Sequence, residues 1–215
     1  MPDPVKREYR SDLRSAQARE TRDRIVAAAA DLFVADGYAG TTVDAVAIAA
    51  GVSRKTVFTA VGGKAELLSV AIDSAIAGDD LPLPLAERPE VVELLALDDA
   101  GRIVDAWAAL VAGIDARVGG LFAALETASA EDATALAVFD RLQSRRRQGA
   151  ASVVDAISAL DALKAGLSRA DAVDLAWLFS EPLLHVRLVG RRRWSARRFE
   201  SWLAATLRQQ LLVVR

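Results

Sequence analysis

An all-helical fold is predicted by three observations. Apolar residues recur at helical spacing along nearly the whole chain, no segment sustains a two-residue alternation, and β-branched residues cluster only briefly. Of the 215 residues 53% are hydrophobic and none is Cys, so the chain can bury a full core without disulfides. The same apolar fraction excludes a disordered chain. Lys and Arg number 27 against 29 Asp and Glu, a formal net charge of -2, which excludes a uniformly basic coat but leaves room for a local basic face.

The elements follow in order. Residues 1–18 read as a charged, flexible arm, because Lys6, Arg7, Arg10 and Arg14 are interleaved with Asp3, Glu8 and Asp12. The arm has no apolar run of the kind a secretory signal needs. A first helix is predicted from about Arg19 to Ala35, with Ile25, Ala28, Ala29, Leu32 and Phe33 on one face and Gly37 placed to end it. Thr42 then reads as the N-cap of a helix over Val43 to Ala50, and Ser53 as the N-cap of a short helix from Arg54 to about Ala60. Gly62 and Gly63 break the chain before a fourth helix, about Lys64 to Ile76.

The stretch GDDLPLPLAERP, Gly78 to Pro89, is the clearest boundary. It divides residues 19–77 from a larger helical domain, residues 78–215, in which helices are expected at about 89–97, 99–117, 120–128, 131–163 with a bend at Gly149, 169–189 and 195–213. Pro182 should open the fifth of these near Ser180. Residues 1–64 carry 10 basic and 8 acidic side chains, and the remainder 17 and 21, so the mild basic excess lies in the N-terminal part. Asp or Arg interrupts each apolar run short of the roughly 18 residues a membrane span requires. No membrane association is expected, and with no Cys the expected location is the cytoplasm.

Residues 42–61, TVDAVAIAAGVSRKTVFTAV, have the spacing of a helix-turn-helix. Ala47 falls where two helices cross closely, Gly51 follows at the turn, and Val57 anchors the second helix, with Val46, Val52 and Val61 completing a small core. That arrangement projects Arg54, Lys55, Thr56 and Thr59 from the first turns of a short helix able to enter a major groove. The spacing alone also fits an ordinary helical hairpin in a bundle.

The flanking residues extend the pattern. The first helix ends DLF, Gly37-Tyr38 follows, and then come Thr41-Thr42-Val43, Ala50-Gly51-Val52-Ser53, Thr56-Val57-Phe58 and the Lys64, Glu66, Leu67 start of a connecting helix. Across Arg22 to Asp73 the chain thereby resembles the DNA-binding region of the TetR family of transcriptional regulators. Gly166 to Leu207, with its Val-Gly-x-x-x-Trp-Ser connection, looks like the last two helices of a common subgroup of them.

The resemblance implies roles. Thr42 would hold a phosphate at a helix N-terminus. Ser53, Arg54, Lys55, Thr56, Phe58 and Thr59 would lie on the recognition helix or its cap, with Arg54 the candidate for a guanine contact. Lys64 would meet a phosphate, and the arm could follow the DNA backbone, although its interleaved acids favour a solvated tail. Family members usually carry Tyr where this chain has Phe58 and an aromatic or His where it has Ala60, so one phenolic contact to phosphate is missing.

In the larger domain the final helices are apolar beyond the needs of one stripe. The resemblance implies a two-fold dimer through them, with Trp177, Leu184, Leu188, Phe199, Trp202, Leu203 and Leu207 at the interface. Trp107, Phe122, Phe139, Trp177 and His185 are candidates for lining an effector pocket, or else ordinary packing residues. His185, the one His, reads most simply as a satisfied, partly buried imidazole. Arg145 to Arg147 and Arg191 to Arg193 read as solvated runs. With no Cys, one His and no Gly-rich phosphate loop, neither a metal site nor a catalytic constellation is expected, and no cofactor.

The resemblance therefore implies a homodimeric DNA-binding regulator, a repressor released from a palindromic double-stranded operator by a small apolar effector. The alternative is a helical ligand- or partner-binding dimer whose helix-turn-helix no longer binds DNA.

Overall fold

The computed structural model describes residues 4–78 and 83–213, with side chains from Ser15 onward. Ten α-helices account for most of them: α1 (Pro4–Gly40), α2 (Val43–Ala50), α3 (Arg54–Ala60), α4 (Lys64–Ala77), α5 (Pro89–Leu95), α6 (Ala100–Ser129), α7 (Ala133–Ala159), α8 (Arg169–Phe179), α9 (Pro182–His185) and α10 (Ala196–Leu211). A single isolated bridge, Leu163 to Leu212, is the only β pairing among the described residues. The expected all-helical class is what is found.

The N-terminal unit follows its sequence closely. Gly37, at φ 69° and ψ 179°, breaks α1 where the first helix was expected to end. Thr42 caps α2 by accepting from the Ala45 N–H at 3.1 Å, and Ser53 caps α3 by accepting from the Thr56 N–H at 3.0 Å. Gly51 closes the turn between them in the left-handed region, at φ 66° and ψ 37°, and the Val52 N–H returns to the Ala47 carbonyl at 2.9 Å. Only glycine enters that region without steric cost. One boundary differs: α1 begins at Pro4 instead of near Arg19. The arm side chains Lys6, Arg7, Arg10 and Arg14 lie outside the described residues.

Larger differences lie in the second half. Residues 99–117 and 120–128, expected as two helices, form the single helix α6. Gly119 and Gly120 mark close packing there and not a break: a Cβ on Gly119 would stand 2.8 Å from a Val186 methyl, and one on Gly120 3.0 Å from Val34. Gly149 likewise lies under the Trp107 ring, where a Cβ would meet it at 3.3 Å, and α7 continues through it without a break to Ala159. By length and composition α6 could cross a membrane, contrary to the expectation from interrupted runs. Half of its most apolar window is buried within the fold against α1, α4, α7, α9 and α10.

Two apolar cores result. The first joins Ile25, Phe33, Val46, Val57, Leu68 and Ile72 of the N-terminal unit to Leu121, Phe122 and Leu125 of α6 and Val138 and Leu142 of α7. The second joins Ile103, Trp107 and Val111 of α6 to Val153 and Ile157 of α7, Val173 of α8 and Phe199, Leu203 and Leu207 of α10. The first core therefore crosses the sequence boundary at Gly78–Pro89. Arg117 on α6 strengthens the crossing by donating to the free carbonyls of Ala75 and Ile76 at the end of α4, at 2.7 and 3.1 Å.

Pro182 opens the chain at the expected place, since α8 stops at Phe179 and α9 starts at Pro182. The Trp177 carbonyl released by the break accepts from the Arg146 guanidinium at 3.0 Å and from the Ser180 hydroxyl at 3.0 Å. The partners come from 31 and 3 residues away, so the first was invisible to local sequence reading.

Leu125 is fully buried where the N-terminal unit meets α6. Leu125→Ala should cost about 2 to 5 kcal/mol of unfolding free energy. All four Trp residues lie beyond the boundary. Because the core is shared across it, urea unfolding by Trp fluorescence and by circular dichroism should shift together. A shift confined to one signal would separate the two units.

Candidate DNA-binding surface and buried polar seam

Two places gather chemistry-bearing side chains, and the first is the outer face of α2 and α3. Val57 is fully buried and points α3 inward, which leaves Arg54, Lys55, Phe58 and Thr59 exposed on the opposite side. Thr42 and Ser53 are exposed at the two caps, and Thr56, half-buried, places its hydroxyl 2.8 Å from that of Ser53. The Thr59 hydroxyl bonds back to the Lys55 carbonyl at 2.9 Å. Arg54 pairs with Asp44 at 2.9 Å and lies over the Phe58 ring, 5.5 Å from its centroid. Both ends of that ion pair are more than half exposed, so it orients the guanidinium and contributes little stability.

Lys64 completes the surface from the start of α4. Its ammonium sits 4.2 Å from the centroid of Tyr38 and 3.5 Å from the Ala39 carbonyl. Partial burial pulls it below the ordinary lysine value, against the opposing pull of Asp132. Tyr38 donates its hydroxyl to Asp132 at 2.7 Å, and that carboxylate also caps α7 through the Thr134 and Ala135 N–H groups. Burial, then the hydrogen bond to Asp132, pushes the phenol well above its usual value.

The structure thus brings all eight predicted surface residues around one short helix-turn-helix. It adds three that sequence reading missed. Asp44 sits against Arg54, Arg22 bonds the last carbonyl of α3 at Ala60, and Ile48 stands 82% exposed on α2. A large apolar side chain on α2 off the face of Val46, Ala47 and Ala50 was the available signal for Ile48.

The second place lies between the two cores. On α6 the second core ends at Ala112 and the first begins at Leu121; on α7 the first ends at Leu142 and the second begins at Ala150. Asp115 and Arg146 stand in those gaps. Asp115 is 2% exposed, although the buried face of α6 is otherwise apolar. Arg146 donates to Glu181 at 2.8 Å, to Gln143 and to the Trp177 carbonyl, and its cation lies 5.7 Å from the Phe122 and from the Trp177 ring centroids. The Trp177 indole N–H reaches Gln143 at 3.1 Å.

Of the predicted pocket residues, Phe122 and Trp177 therefore face this seam through Arg146. Trp107 is buried against Gly149, with its indole N–H unpaired. Phe139 packs on Phe122 in the first core, and His185 packs edge-on to Phe199, where burial lowers its pKa. The five do not line one common apolar site. The run Arg145 to Arg147 is corrected too: Arg145 pairs with Asp73 and Arg147 with Asp174 at the surface, but the Arg146 side chain is largely withdrawn from solvent, 16% exposed.

The predicted interface set divides. Phe199, Leu203 and Leu207 are fully buried in the protomer's own core and have no surface to offer a partner. They form one helical stripe, and a sequence cannot say whether a stripe serves its own protomer or another. Trp177, Leu184, Leu188 and Trp202 remain part-exposed, next to Leu178 at 54% exposure.

Residues 25–71, which span α2, α3, the C-terminal part of α1 and the first part of α4, match the family model described as bacterial regulatory proteins, tetR family. The helix-turn-helix unit belongs to the TetR family. Over 77 residues the chain is 39% identical to the uncharacterized HTH-type transcriptional regulator TtgW of Pseudomonas putida, covering 36% of this chain and 54% of that protein. It is equally identical, over the same length, to the HTH-type transcriptional regulator SrpR, also of Pseudomonas putida, covering 34% of that protein. The aligned part thus spans about half or less of these relatives.

Solved structures extend the likeness to the whole fold. A protein from Saccharomonospora viridis, described as a transcriptional regulator and solved in complex with choline, superposes with a TM-score of 0.68 at 19% identity, covering 91% of this chain and 100% of that one. A transcriptional regulator from Rhodococcus sp. Rha1 superposes at 0.61 and 18% identity, covering 90% and 99%. The TetR-family arrangement of a helix-turn-helix unit on a larger helical body is therefore this chain's fold.

The seam carries a pH prediction. Burial holds the Asp115 carboxyl well above its ordinary value, with Arg146 opposing and Glu181 reinforcing. A raised folded-state pKa favours folding most at low pH and loses that contribution as pH rises from 3.8 through the folded value. Asp115→Asn cannot ionise. Its unfolding midpoint should equal or fall below wild type near pH 4 and move above it towards pH 7, as thermal unfolding across that range would read. A variant that loses stability relative to wild type as pH rises would show the carboxylate to be stabilised instead.

Proposed function

We propose that this protein is a homodimeric, DNA-binding transcription regulator, a repressor released from a palindromic operator when a small effector occupies its helical body. The observation that carries the reading is the face of α2 and α3. Arg54, Lys55, Thr42 and Lys64 offer cationic and hydroxyl groups around a helix whose buried side is fixed by Val57 and the Gly51 turn. The family match over that unit and the regulator names of its relatives support it.

In this reading Arg54 reads a base edge while Thr42, Lys55 and Lys64 hold phosphates. Asp44 keeps the guanidinium extended until DNA takes over the contact. The part-exposed apolar residues of α8 to α10 pair two protomers and so set the spacing of two recognition helices. Effector binding shifts the population towards a spacing that does not fit the operator, a coupling typically worth about 1 to 3 kcal/mol. The Saccharomonospora viridis protein, solved in complex with choline, supports the reading that a chain of this fold can hold a small molecule.

The test is selection of bound fragments from genomic DNA, followed by titration of the best fragment at several salt concentrations. About eight phosphate contacts per dimer should give a slope of log K against log salt near -7. Arg54→Ala should cost about 1 to 3 kcal/mol and relax preference at one position of each half-site. Asp44→Asn should bind unrelated DNA more tightly, because it removes a negative charge beside the phosphates. Failure of the folded protein to enrich any sequence would overturn the reading in favour of a partner-binding dimer.

A further inference from the structure

The seam between the cores is short of hydrogen-bond donors. Among its buried polar atoms, Asp115 Oδ2 and Glu181 Oε1 have no partner, whereas the Arg146 guanidinium is engaged with Glu181, Gln143 and the Trp177 carbonyl. Leaving acceptors like these buried and unmatched is costly, and in native folds they generally meet a water, an ion or a ligand. Two carboxyl groups face one guanidinium, which Glu181 already holds, and burial pushes Asp115 towards its neutral form; a second cation beside it would favour the carboxylate.

The surroundings select the kind of charge. The Phe122 and Trp177 rings, already within cation–π distance of Arg146, form the apolar walls. Aromatic faces beside carboxyl oxygens that lack a donor favour ammonium groups over anions. The wall is also able to yield. Glu181 stands in the break between α8 and α9, where Pro182 removes a helical hydrogen bond, and the following turns, Val186–Arg191, are wound as a π-helix.

We propose that this seam is a ligand site and that its ligand is a small organic cation, its ammonium group placed between Asp115 and Glu181 and its apolar part against Phe122 and Trp177. The inference deepens the regulator reading by naming the effector class, and rests on that reading only in calling the ligand an effector. Arg146 is the positioning residue: it holds Glu181 and the Trp177 backbone in place and keeps the seam from collapsing onto two bare carboxyl groups.

The experiment uses the full chain without DNA, so that failure here leaves the DNA-binding reading standing and failure there leaves this one. Benzylamine, as its ammonium form at pH 7, and benzyltrimethylammonium are titrated against neutral benzyl alcohol and anionic benzoate, reading thermal unfolding and Trp fluorescence. At least one cation should raise the Tm and change the Trp fluorescence, while benzyl alcohol and benzoate do neither. Asp115→Asn and Glu181→Gln, which keep shape, should each weaken cation binding about tenfold or more. Asp115→Asn is expected to stay folded at pH 7, so its lost response cannot be ascribed to unfolding. No response to either cation overturns the proposal. So does a benzoate response, or a cation response that survives both substitutions.

Discussion

A guanidinium largely withdrawn from solvent between two apolar cores must be paired, and the break between α8 and α9 supplies most of the pairing for Arg146. Its partners are Gln143 on its own helix and, from the break between α8 and α9, Glu181 and the Trp177 carbonyl. Removing one member of such a buried pair commonly costs about 3 to 5 kcal/mol, because the other is left charged without water. The Pro182 break therefore has a compensating partner built into α7. The same break that frees a carbonyl also delivers the carboxylate that holds the arginine.

This seam is set between regions of ordinary packing. Beneath it the first core ties α1 and α4 to the far ends of α6 and α7, and above it the second core ties α6 and α7 to α8 and α10. α7 touches everything of interest. Its cap Asp132 receives Tyr38, Arg141 reaches Ser69 at 2.7 Å, Arg145 reaches Asp73 at 2.8 Å, and Arg146 occupies the seam one residue later. A displacement of α7 at the seam would therefore be felt at α4 and at the Tyr38 corner, next to Lys64. The coupling is physical contact along one rigid element and requires no long chain of intermediates.

The helix-turn-helix depends on a different kind of constraint. Its core is small, so its geometry rests on local devices: two side-chain caps, one left-handed glycine and one small residue at the crossing. These act within a few residues of sequence. Arg54 stacked on Phe58 and held by Asp44 shows how the same unit orients a side chain without burying it.

That difference explains what could be read from the chain alone. Caps at Thr42 and Ser53, the turn at Gly51, the end of the first helix at Gly37 and the break before Pro182 were legible, because each is decided by backbone sterics or a bond between near neighbours. The surface residues of α3 were legible for the same reason, since helical period puts them opposite Val57. The meaning of Gly119, Gly120 and Gly149 was not, because whether a glycine ends a helix or admits a neighbour depends on what packs there. Phe199, Leu203 and Leu207 show the same limit, for an apolar stripe does not name the surface it meets. Only the tertiary structure singled out Arg146 from its run of three arginines and set it opposite Asp115, because burial and charge pairing are fixed by residues far apart in the chain.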